Sequence, residues 1–400
     1  MNRCYYCDSP VQEGLDFGAQ PITNRYIYDR NAQEYMHPLS VGVCSVCDLV
    51  QLTDPFPAEQ LTPKYDWITY NEPEGHLDDL VKRLGSLTNI NSASTIGGIT
   101  YKDDTTLARF RESGFNNVWR IDLESELGMK NKRGGLETVQ SLLTRDTARK
   151  IAQKRGKSDL IVVRHILEHA YDPRQFLDAL RQLLRPDGYL VFEVPDSTEI
   201  FQTFDYPSIW EEHLVYFTPL TFKNCFRYGG LTLNEFILYP YPHENSMVGI
   251  TQLRSDGQAG TAISSMEKTE EDRAGRFFAS YSKYQLKYKY ILEQYKAQGK
   301  QVALFGAGHI GATFINLMGL AEHVNFVIDD HPHKMGMYMP GSRVPIYGSD
   351  HLKNMSSGLC LSCLSPESED KVAEKLGSNI EEGMEFASIF YSSKRSLRKN

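Results

Sequence analysis

Apolar runs alternate with amphipathic stretches between about residues 73 and 255 of the chain. Four short apolar runs predict strands, at Ser94–Ile99, Asn117–Ile121, Asp159–Val163 and Tyr189–Val194. Three stretches with apolar residues at helical spacing predict helices, at Leu77–Leu87, Thr106–Ser113 and Pro173–Leu184. Arg185–Gly188 has the composition of a turn. Strands that alternate with helices indicate an α/β domain, built on a parallel sheet with right-handed crossovers.

Beyond residue 270 the pattern changes to one long helix, predicted over residues 271–298. Aromatic residues recur along one face of this helix at Tyr281, Tyr284, Tyr288 and Tyr295, with Leu292 among them. Such an aromatic face is typical of packing against the rest of a domain. Gly299 ends the helix.

A second α/β unit follows, with a strand predicted at Gln301–Phe305. Gly306, Gly308 and Gly311 then fit G-x-G-x-x-G, and a second strand ends in Asp329. This order is typical of a Rossmann-like unit, in which Asp329 would bind the ribose of a dinucleotide. The glycines equally suit a tight strand–helix turn without a ligand, so both interpretations stay open.

Two cysteine pairs near the N-terminus, Cys4-x2-Cys7 and Cys44-x2-Cys47, predict a zinc site. Two C-x2-C turns supply the four thiolates of a closed tetrahedral site, which indicates a structural metal. We interpret Cys360-x2-Cys363 as core packing, because its segment alternates like a strand and has no second pair nearby. The odd total of seven cysteines and the lack of a charged-then-apolar leader favour a reducing cytoplasm.

Length limits the number of domains, and charge limits the classes of partner. A chain of 400 residues predicts two to four domains. We place them at 1–72 (zinc module), 73–270 (central α/β domain), 271–299 (connecting helix) and 300–400 (second α/β domain). The net charge of −8 argues against a nucleic-acid partner, and the absence of a long uninterrupted apolar run argues against a membrane span.

Two segments carry candidate chemistry. Arg164-His-Ile-Leu-Glu-His169 comes directly after a predicted strand, where parallel sheets bind ligands. In Ile209–Phe217, Glu212 and His213 stand side by side near aromatic residues, so the histidine is a candidate base that the carboxylate orients.

The chain resembles the sugar-nucleotide C-methyltransferase family over about residues 4–350. The resemblance rests on four segments in a fixed order: the four-cysteine module, the R-H-I-L-E-H segment, E-H-L-V-Y-F and Lys334–Gly341. The resemblance implies a zinc module, a central class I methyltransferase-like Rossmann domain and a C-terminal Rossmann-like domain. It implies transfer of a methyl group from S-adenosylmethionine to a carbon beside the ketone of a nucleoside-diphosphate keto-deoxysugar. It leaves the oligomeric state open.

The resemblance also implies roles for individual residues. His213 would be the base, Glu212 would orient it, and Tyr70 or else Tyr65 would donate to the developing oxyanion. The cofactor-binding candidates are Gly97, Gly98, Asp122, Arg164 and His165. The substrate-binding candidates are Tyr216, His243, Asn245, Lys334 and Tyr338.

Three departures from the family pattern leave alternatives open. Trp210 and Glu211 replace the residues that usually precede Glu-His, and Glu244 and Asn245 replace glycines. The donor glycine motif lacks its acid and has a longer loop, in which Asp103 or Asp104 would have to substitute. The first alternative is therefore an epimerase or isomerase of keto-sugars, with NAD as a less favoured cofactor on Gly306–Gly311. The second is a non-catalytic protein that binds sugar nucleotides.

Overall fold

The computed structural model describes residues 2–68, 72–129, 135–254, 269–355, 357–377 and 383–399. The chain forms two compact units, each assembled from separate stretches of sequence. The first unit comprises Met1–Glu13, Gly42–Thr198 and Glu212–Glu271. The second comprises Gly14–Val41, Glu199–Glu211 and Asp272–Asn400. The domain limits expected from the sequence follow a different division, and they stay a prediction.

The described strands are, in chain order, β1 (Val11–Pro21), β2 (Met36–Cys44), β3 (Val50–Leu52), β4 (Thr95–Gly98), β5 (Asn117–Arg120), β6 (Ser158–Arg164), β7 (Leu184–Pro195), β8 (Val215–Tyr216), β9 (Leu231–Tyr239), β10 (Ser246–Leu253), β11 (Gln301–Phe305), β12 (Phe326–Ile328), β13 (Ile346–Tyr347), β14 (Gly358–Ser362) and β15 (Met384–Ser388).

The described α-helices are α1 (Leu77–Gly85), α2 (Asp104–Glu112), α3 (Leu136–Leu142), α4 (Arg145–Arg155), α5 (Pro173–Leu183), α6 (Thr198–Thr203), α7 (Pro219–Tyr228), α8 (Thr269–Ala297), α9 (His309–Leu317) and α10 (Glu369–Leu376). None of the helices in the described ranges is long and apolar enough to cross a membrane.

The central sheet of the first unit has the strand order β5-β4-β6-β7-β10-β9. Its first four strands are parallel, as the alternating pattern predicts. The two further strands, β9 and β10, make the sheet mixed, because β10 runs antiparallel to both β7 and β9. The physical reason is the short loop of residues 240–245, which joins β9 and β10 as a hairpin and leaves no room for a crossover helix.

Strand β6 is buried on both faces, which explains its continuous apolar sequence. Ile161 and Val163 lie in the hydrophobic core on one side of the sheet, and Leu160 and Val162 lie in the core on the other side. Alternate residues of a strand point to opposite faces, so a central parallel strand needs apolar residues at every position. This strand brings the R-H-I-L-E-H segment to the carboxyl edge of the sheet.

The turn expected at Arg185–Gly188 is instead part of β7. Ser158 pairs with Leu184 and Leu160 pairs with Tyr189, so the register shifts and the intervening residues bulge from the ladder. Gly188 suits this bulge, because a Cβ atom there would lie 2.8 Å from the carbonyl oxygen of Asp159.

The sheet of the second unit is parallel, with the order β13-β12-β11-β14-β15. The aromatic face of α8 packs within this unit, as expected. Tyr288 is buried, lies edge-to-face with Phe314 at 5.0 Å between ring centroids, and donates a hydrogen bond to the carbonyl of Ile389. Cys360 and Cys363 are buried, in agreement with core packing.

Residues Glu199–Glu211 belong to the second unit and explain one departure from the family pattern. The indole of Trp210 stacks on His309 with 4.4 Å between ring centroids, and its Nε1 donates to Thr23 Oγ1. The buried Glu211 accepts from the backbone N–H and the hydroxyl of Thr23. Burial raises the pKa of Glu211 to about 7, against the opposing effect of these hydrogen bonds.

Replacing Glu211 by Gln should remove a pH-dependent loss of stability. The folded protein holds the Glu211 proton more tightly than the unfolded chain does, so this stabilisation is complete at low pH and disappears as pH rises through about 7. Between pH 4.5 and pH 8 the wild type should lose on the order of 3 kcal/mol of unfolding free energy that Glu211→Gln does not lose. Denaturant titrations at several pH values measure the difference.

The exposed Glu199 in the same stretch supplies the control, since Glu199→Gln should follow the wild-type pH profile. Parallel profiles for the wild type and Glu211→Gln would contradict the assignment.

Candidate active site

The two cysteine pairs form matching knuckles in the first unit. Cys4 and Cys44 each accept, at their carbonyl oxygen, a hydrogen bond from the residue after the second cysteine of the pair. Those residues, Asp8 and Asp48, both adopt the left-handed conformation, with φ of 61° and 60°. Each knuckle therefore folds through the same turn, and the sequence Cys-x2-Cys-Asp repeats for this reason.

The sulfur atoms of the two knuckles converge. Cys7 Sγ lies 3.4 Å from Cys44 Sγ and 3.6 Å from Cys47 Sγ, and Cys4 Sγ lies 3.6 Å from Cys47 Sγ. A zinc ion bound at about 2.3 Å from each sulfur has tetrahedral S···S edges of about 3.8 Å. The four thiols fit a closed zinc site, in which the metal is structural.

The zinc-binding segment positions the Glu-His segment. Strand β3 pairs antiparallel with β8, which begins two residues after His213. Leu214 accepts a backbone hydrogen bond from Leu52 and donates one to the carbonyl of Glu168, 2.8 Å in each case. These two bonds fix His213 next to the segment that follows β6.

Five ionisable side chains meet at this point of the first unit: Glu137, Glu168, His169, Glu212 and His213. The ring of His213 lies edge-to-face with that of His169, 4.8 Å between centroids. His169 Nδ1 lies 3.0 Å from Glu137 Oε1. Glu212 is buried and His213 is half-buried. A partly exposed imidazole beside a second, carboxylate-bound imidazole is suited to accept a proton.

Of the two tyrosines predicted to act as oxyanion donors, one lies within the described residues. Tyr70 lies outside the described residues. Tyr65 is half-buried and packs against Trp67, with 5.0 Å between ring centroids. Tyr216 lies beside the base, 6.2 Å between its ring centroid and that of His213.

The donor loop after β4 is held from within by Asp103. This buried carboxylate accepts from the backbone N–H groups of Ile99, Thr100 and Arg164, at 2.7 to 2.9 Å. Burial raises its pKa to about 6 against these hydrogen bonds. Asp103 is thus occupied in the loop, and Asp104 pairs with Arg120. Both carboxylates thus have partners within the protein.

Beneath this loop, Arg164 and Glu193 form a buried ion pair, 2.5 Å between Nε and Oε2. Arg164 also donates to the carbonyl of Lys102, so it supports the loop from below. His165 adopts the left-handed conformation, with φ of 47°, and its Nε2 lies 3.2 Å from Glu193. Burial lowers the pKa of His165, but the carboxylates of Glu72, Glu168 and Glu193 outweigh it and raise that pKa to about 10.

The remaining donor-site candidates lie at the same sheet edge. Gly97 packs under Trp119, where a Cβ atom would lie 3.0 Å from the ring, and Gly98 leaves space that Leu107 fills. Asp122 follows β5 and is exposed; one of its oxygens accepts from the backbone N–H of Ser125. The exposed carboxylate at the end of the second strand fits the ribose of S-adenosylmethionine.

The loop between β9 and β10 is anchored to the end of β7. Asn245 Oδ1 accepts a hydrogen bond from the backbone N–H of Tyr241. The backbone carbonyl of Asn245 accepts one from the backbone N–H of Asp196. His243 and Asn245 are half-buried at this edge, as is Glu244 between them.

The predicted ribose-binding acid of the Rossmann-like unit, Asp329, is bonded to groups of the protein. Asp329 Oδ2 accepts from Lys334 Nζ at 2.8 Å and from the backbone N–H of Ala307 at 3.1 Å, and Oδ1 accepts from that of His331. Lys334 Nζ and the hydroxyl of Tyr26 also donate to the carbonyl of Ala307. The acid expected to bind ribose is therefore satisfied within the protein.

The glycines of this unit make the strand–helix turn. Gly306 has a φ of 109°, and a Cβ atom on Gly311 would lie 2.4 Å from the carbonyl oxygen of Gly306. Gly308 begins α9. Tyr338, expected to contact substrate, forms backbone bridges with Ile27 and Pro345.

Sequence reasoning missed Glu137, Glu168, His169 and Glu244 as site residues. Glu168 and His169 stand in the R-H-I-L-E-H segment, and their position after a buried strand was a usable signal. Glu244 was visible as a carboxylate where the family has glycine. Glu137 lies on α3, in a stretch without clear periodicity, and had no signal.

Three family models match successive parts of the chain. They are described as "Putative zinc binding domain" over residues 4–61, "Methyltransferase domain" over residues 100–235 and "C-methyltransferase C-terminal domain" over residues 249–390.

One relative, the C-methyltransferase NovU of Streptomyces niveus, is 24% identical over 348 residues, which cover 84% of this chain and 83% of that protein. Among solved structures, the 1,6-didemethyltoxoflavin-N1-methyltransferase of Burkholderia thailandensis is 16% identical and covers 44% of this chain and 77% of its own, with a TM-score of 0.29. A methyltransferase of Anabaena variabilis is 14% identical and covers 45% and 86%, with a TM-score of 0.32. TM-scores this low support no argument about the site.

Replacing Cys44 by Ser should remove the zinc and destabilise the first unit. Three thiolates hold zinc much less tightly than four, and the knuckles have little other core. We expect about one zinc per wild-type chain and a fraction of that in Cys44→Ser, by elemental analysis, together with a lower melting temperature.

The matched control is Cys225→Ser, because Cys225 is buried but stands apart from the knuckles. It should keep the full zinc content. A zinc-free wild-type protein with an unchanged melting temperature would contradict a structural role.

Replacing Arg164 by Met should lower the free energy of unfolding by about 3–5 kcal/mol, because it breaks a buried ion pair and leaves Glu193 with only its contacts to His165, His76 and Ser246. Arg185→Met tests the specificity of the effect. Arg185 also pairs with a carboxylate, Asp159, but its side chain is 53% exposed, so the loss should stay below about 1 kcal/mol. Denaturant unfolding measures both, and equal losses would contradict the assignment.

Proposed function

We propose that this chain, which belongs to the S-adenosylmethionine-dependent C-methyltransferase family, methylates a carbon beside the ketone of a nucleoside-diphosphate keto-deoxysugar. The observation that carries the proposal is the meeting of His213 with His169 and two buried carboxylates, Glu137 and Glu212. This constellation suits removal of a proton from carbon. The order of the motifs along the chain supports the class of substrate.

The proposed first step is enolisation of the acceptor sugar. A hydrogen on a carbon beside a ketone is acidic, because the resulting anion delocalises into the carbonyl. His213 takes this proton, and the buried Glu212 next to it in the chain stabilises the imidazolium. A hydrogen-bond donor near the ketone oxygen must stabilise the enolate, and Tyr70 or Tyr65 is proposed for this role.

S-adenosylmethionine supplies the methyl group that the enolate carbon accepts. The chain contributes position to this step: the donor loop after β4 and the Glu-His segment both lie in the first unit. Holding the acceptor carbon in line with the methyl group accounts for much of the rate. His243, Asn245 and Tyr216 are proposed to orient the sugar.

Lys334 and Tyr338 are proposed to bind the diphosphate of the substrate. For Lys334 this requires exchange of its contact with Asp329 for a phosphate oxygen. We place the reaction in the cytoplasm, because all seven cysteines are free, which suits a reducing compartment.

Replacing His213 by Asn should abolish both proton exchange and methyl transfer, since the amide is similar in size but cannot act as a base. We expect a loss of about 10²- to 10⁴-fold in each rate. The measurements are deuterium incorporation from D₂O beside the ketone, by NMR, and methyl transfer by mass spectrometry, with a panel of nucleoside-diphosphate keto-deoxyhexoses.

His243→Asn serves as the comparison, because this residue is assigned to substrate binding and should mainly raise KM. Deuterium incorporation without a methylated product would favour an epimerase or isomerase. Tight binding of the sugar nucleotide with no effect of the His213 substitution would favour a non-catalytic binding protein.

A further inference from the structure

Glu168 is a buried carboxylate with unsatisfied oxygens. Its side chain is 1% exposed, and neither of its oxygens makes a hydrogen bond within the described part of the chain. The nearest cationic atom is His165 Nδ1, 3.5 Å from Oε1. His165 balances part of this charge, but it also contacts Glu193 at 3.2 Å. A buried carboxylate whose oxygens accept no hydrogen bond is costly, and a ligand that reaches it would remove this cost.

Glu244 is a second carboxylate in the same surroundings. It lies in the loop that Asn245 anchors to the end of β7, and thus at the carboxyl edge of the central sheet. Burial, and then the negative charge of Glu72, raise the pKa of Glu244 to about 8; Glu168 adds to this rise, and His165 opposes it. No hydrogen bond contributes strongly to the pKa of Glu244.

The other carboxylates at this edge have partners. Glu193 pairs with Arg164, Glu72 pairs with Lys102 at 2.8 Å, and Asp103 accepts three backbone N–H groups. His165 is shared between Glu168 and Glu193, so negative charge in excess of its partners remains at Glu168, whereas Glu244 would ionise when a cation binds.

We propose that Glu168 and Glu244 form a subsite for an organic cation, and that its occupant is the positively charged part of S-adenosylmethionine. One ligand atom of Glu168 lies within 4.8 Å of those of His169 and His213, so the cation would be held next to the proposed base. The donor methyl group must reach the acceptor carbon at the same point. The subsite also replaces the acid that the glycine motif lacks.

This inference rests on the use of S-adenosylmethionine and not on the identity of the acceptor. It requires the chain to prefer S-adenosylmethionine, a sulfonium, over S-adenosylhomocysteine, a neutral thioether. A carboxylate increases the affinity for the charged S-adenosylmethionine, whereas apolar and ribose contacts contribute equally to the affinity for both compounds. The preference would help the product to leave.

The test is calorimetric titration of the zinc-loaded full chain with each compound, without any sugar nucleotide. We compare the wild type with Glu168→Gln, Glu244→Gln and the control Glu112→Gln, an exposed residue at the end of α2. We expect both site variants to bind S-adenosylmethionine about 10- to 100-fold more weakly, with less than a threefold change for S-adenosylhomocysteine. The control should bind both compounds as the wild type does.

Circular dichroism and zinc analysis establish that each variant is folded, and the half-buried Glu244 provides a second variant if Glu168→Gln is unstable. Equal weakening for both compounds, or no change, would overturn the proposal. Tight binding of Mn²⁺ that Glu168→Gln removes would overturn it in favour of a metal site.

An amino-sugar nucleotide provides the last arm, because its ammonium group is the other organic cation that two carboxylates would bind. If Glu244→Gln weakens only that ligand, the donor assignment is wrong. Since no arm measures turnover, a failure to methylate keto-sugars would leave these results unaffected.

Discussion

The site depends on the backbone of Leu214, which is bonded on two sides. Its carbonyl accepts from Leu52 in the zinc-binding segment, and its N–H donates to Glu168 after β6. Because His213 precedes Leu214, both bonds determine where the imidazole lies. The zinc-binding segment leads directly into β3, which pairs with β2 on one side and with β8 on the other. We therefore expect loss of the zinc to loosen β3 and, through β8, the position of His213 against His169.

Buried charges at the carboxyl edge of the central sheet are stabilised by ion pairs and backbone hydrogen bonds. Arg164 pairs with Glu193 and also supports the donor loop, because it donates to the carbonyl of Lys102. Asp103 fixes the same loop from the inside. A loop secured in this way does not need the glycine-rich turn that usually serves the cofactor. The unusual donor motif is thus explained by different internal contacts, with no loss of order.

Local features were predictable, and long-range polar contacts were not. Spacing alone identified the zinc knuckles, and the continuous apolar run identified β6, because each signal lies within a few residues. Conversely, the pairing of His169 with Glu137 joins the end of a short 3-10 helix, Leu167–His169, to α3, and no periodicity connects the two. Asp329 likewise accepts from Lys334 and from two backbone N–H groups, contacts that the complete glycine fingerprint does not predict. Motifs describe backbone geometry, and side-chain partners decide what that geometry binds.

The two units are interleaved along the chain, which has a consequence for synthesis. Gly14–Val41 leaves the ribosome early, but most of its unit, Asp272–Asn400, is made last. At 5–20 residues per second, the interval is roughly 10 to 50 seconds. During that time β1 and β2 can pair with each other and with β3, but apolar side chains such as Phe17, which packs on Tyr281, stay exposed, and such surfaces attract other chains. The order of translation, and not only the final stability, therefore sets the period in which this protein is most prone to aggregate.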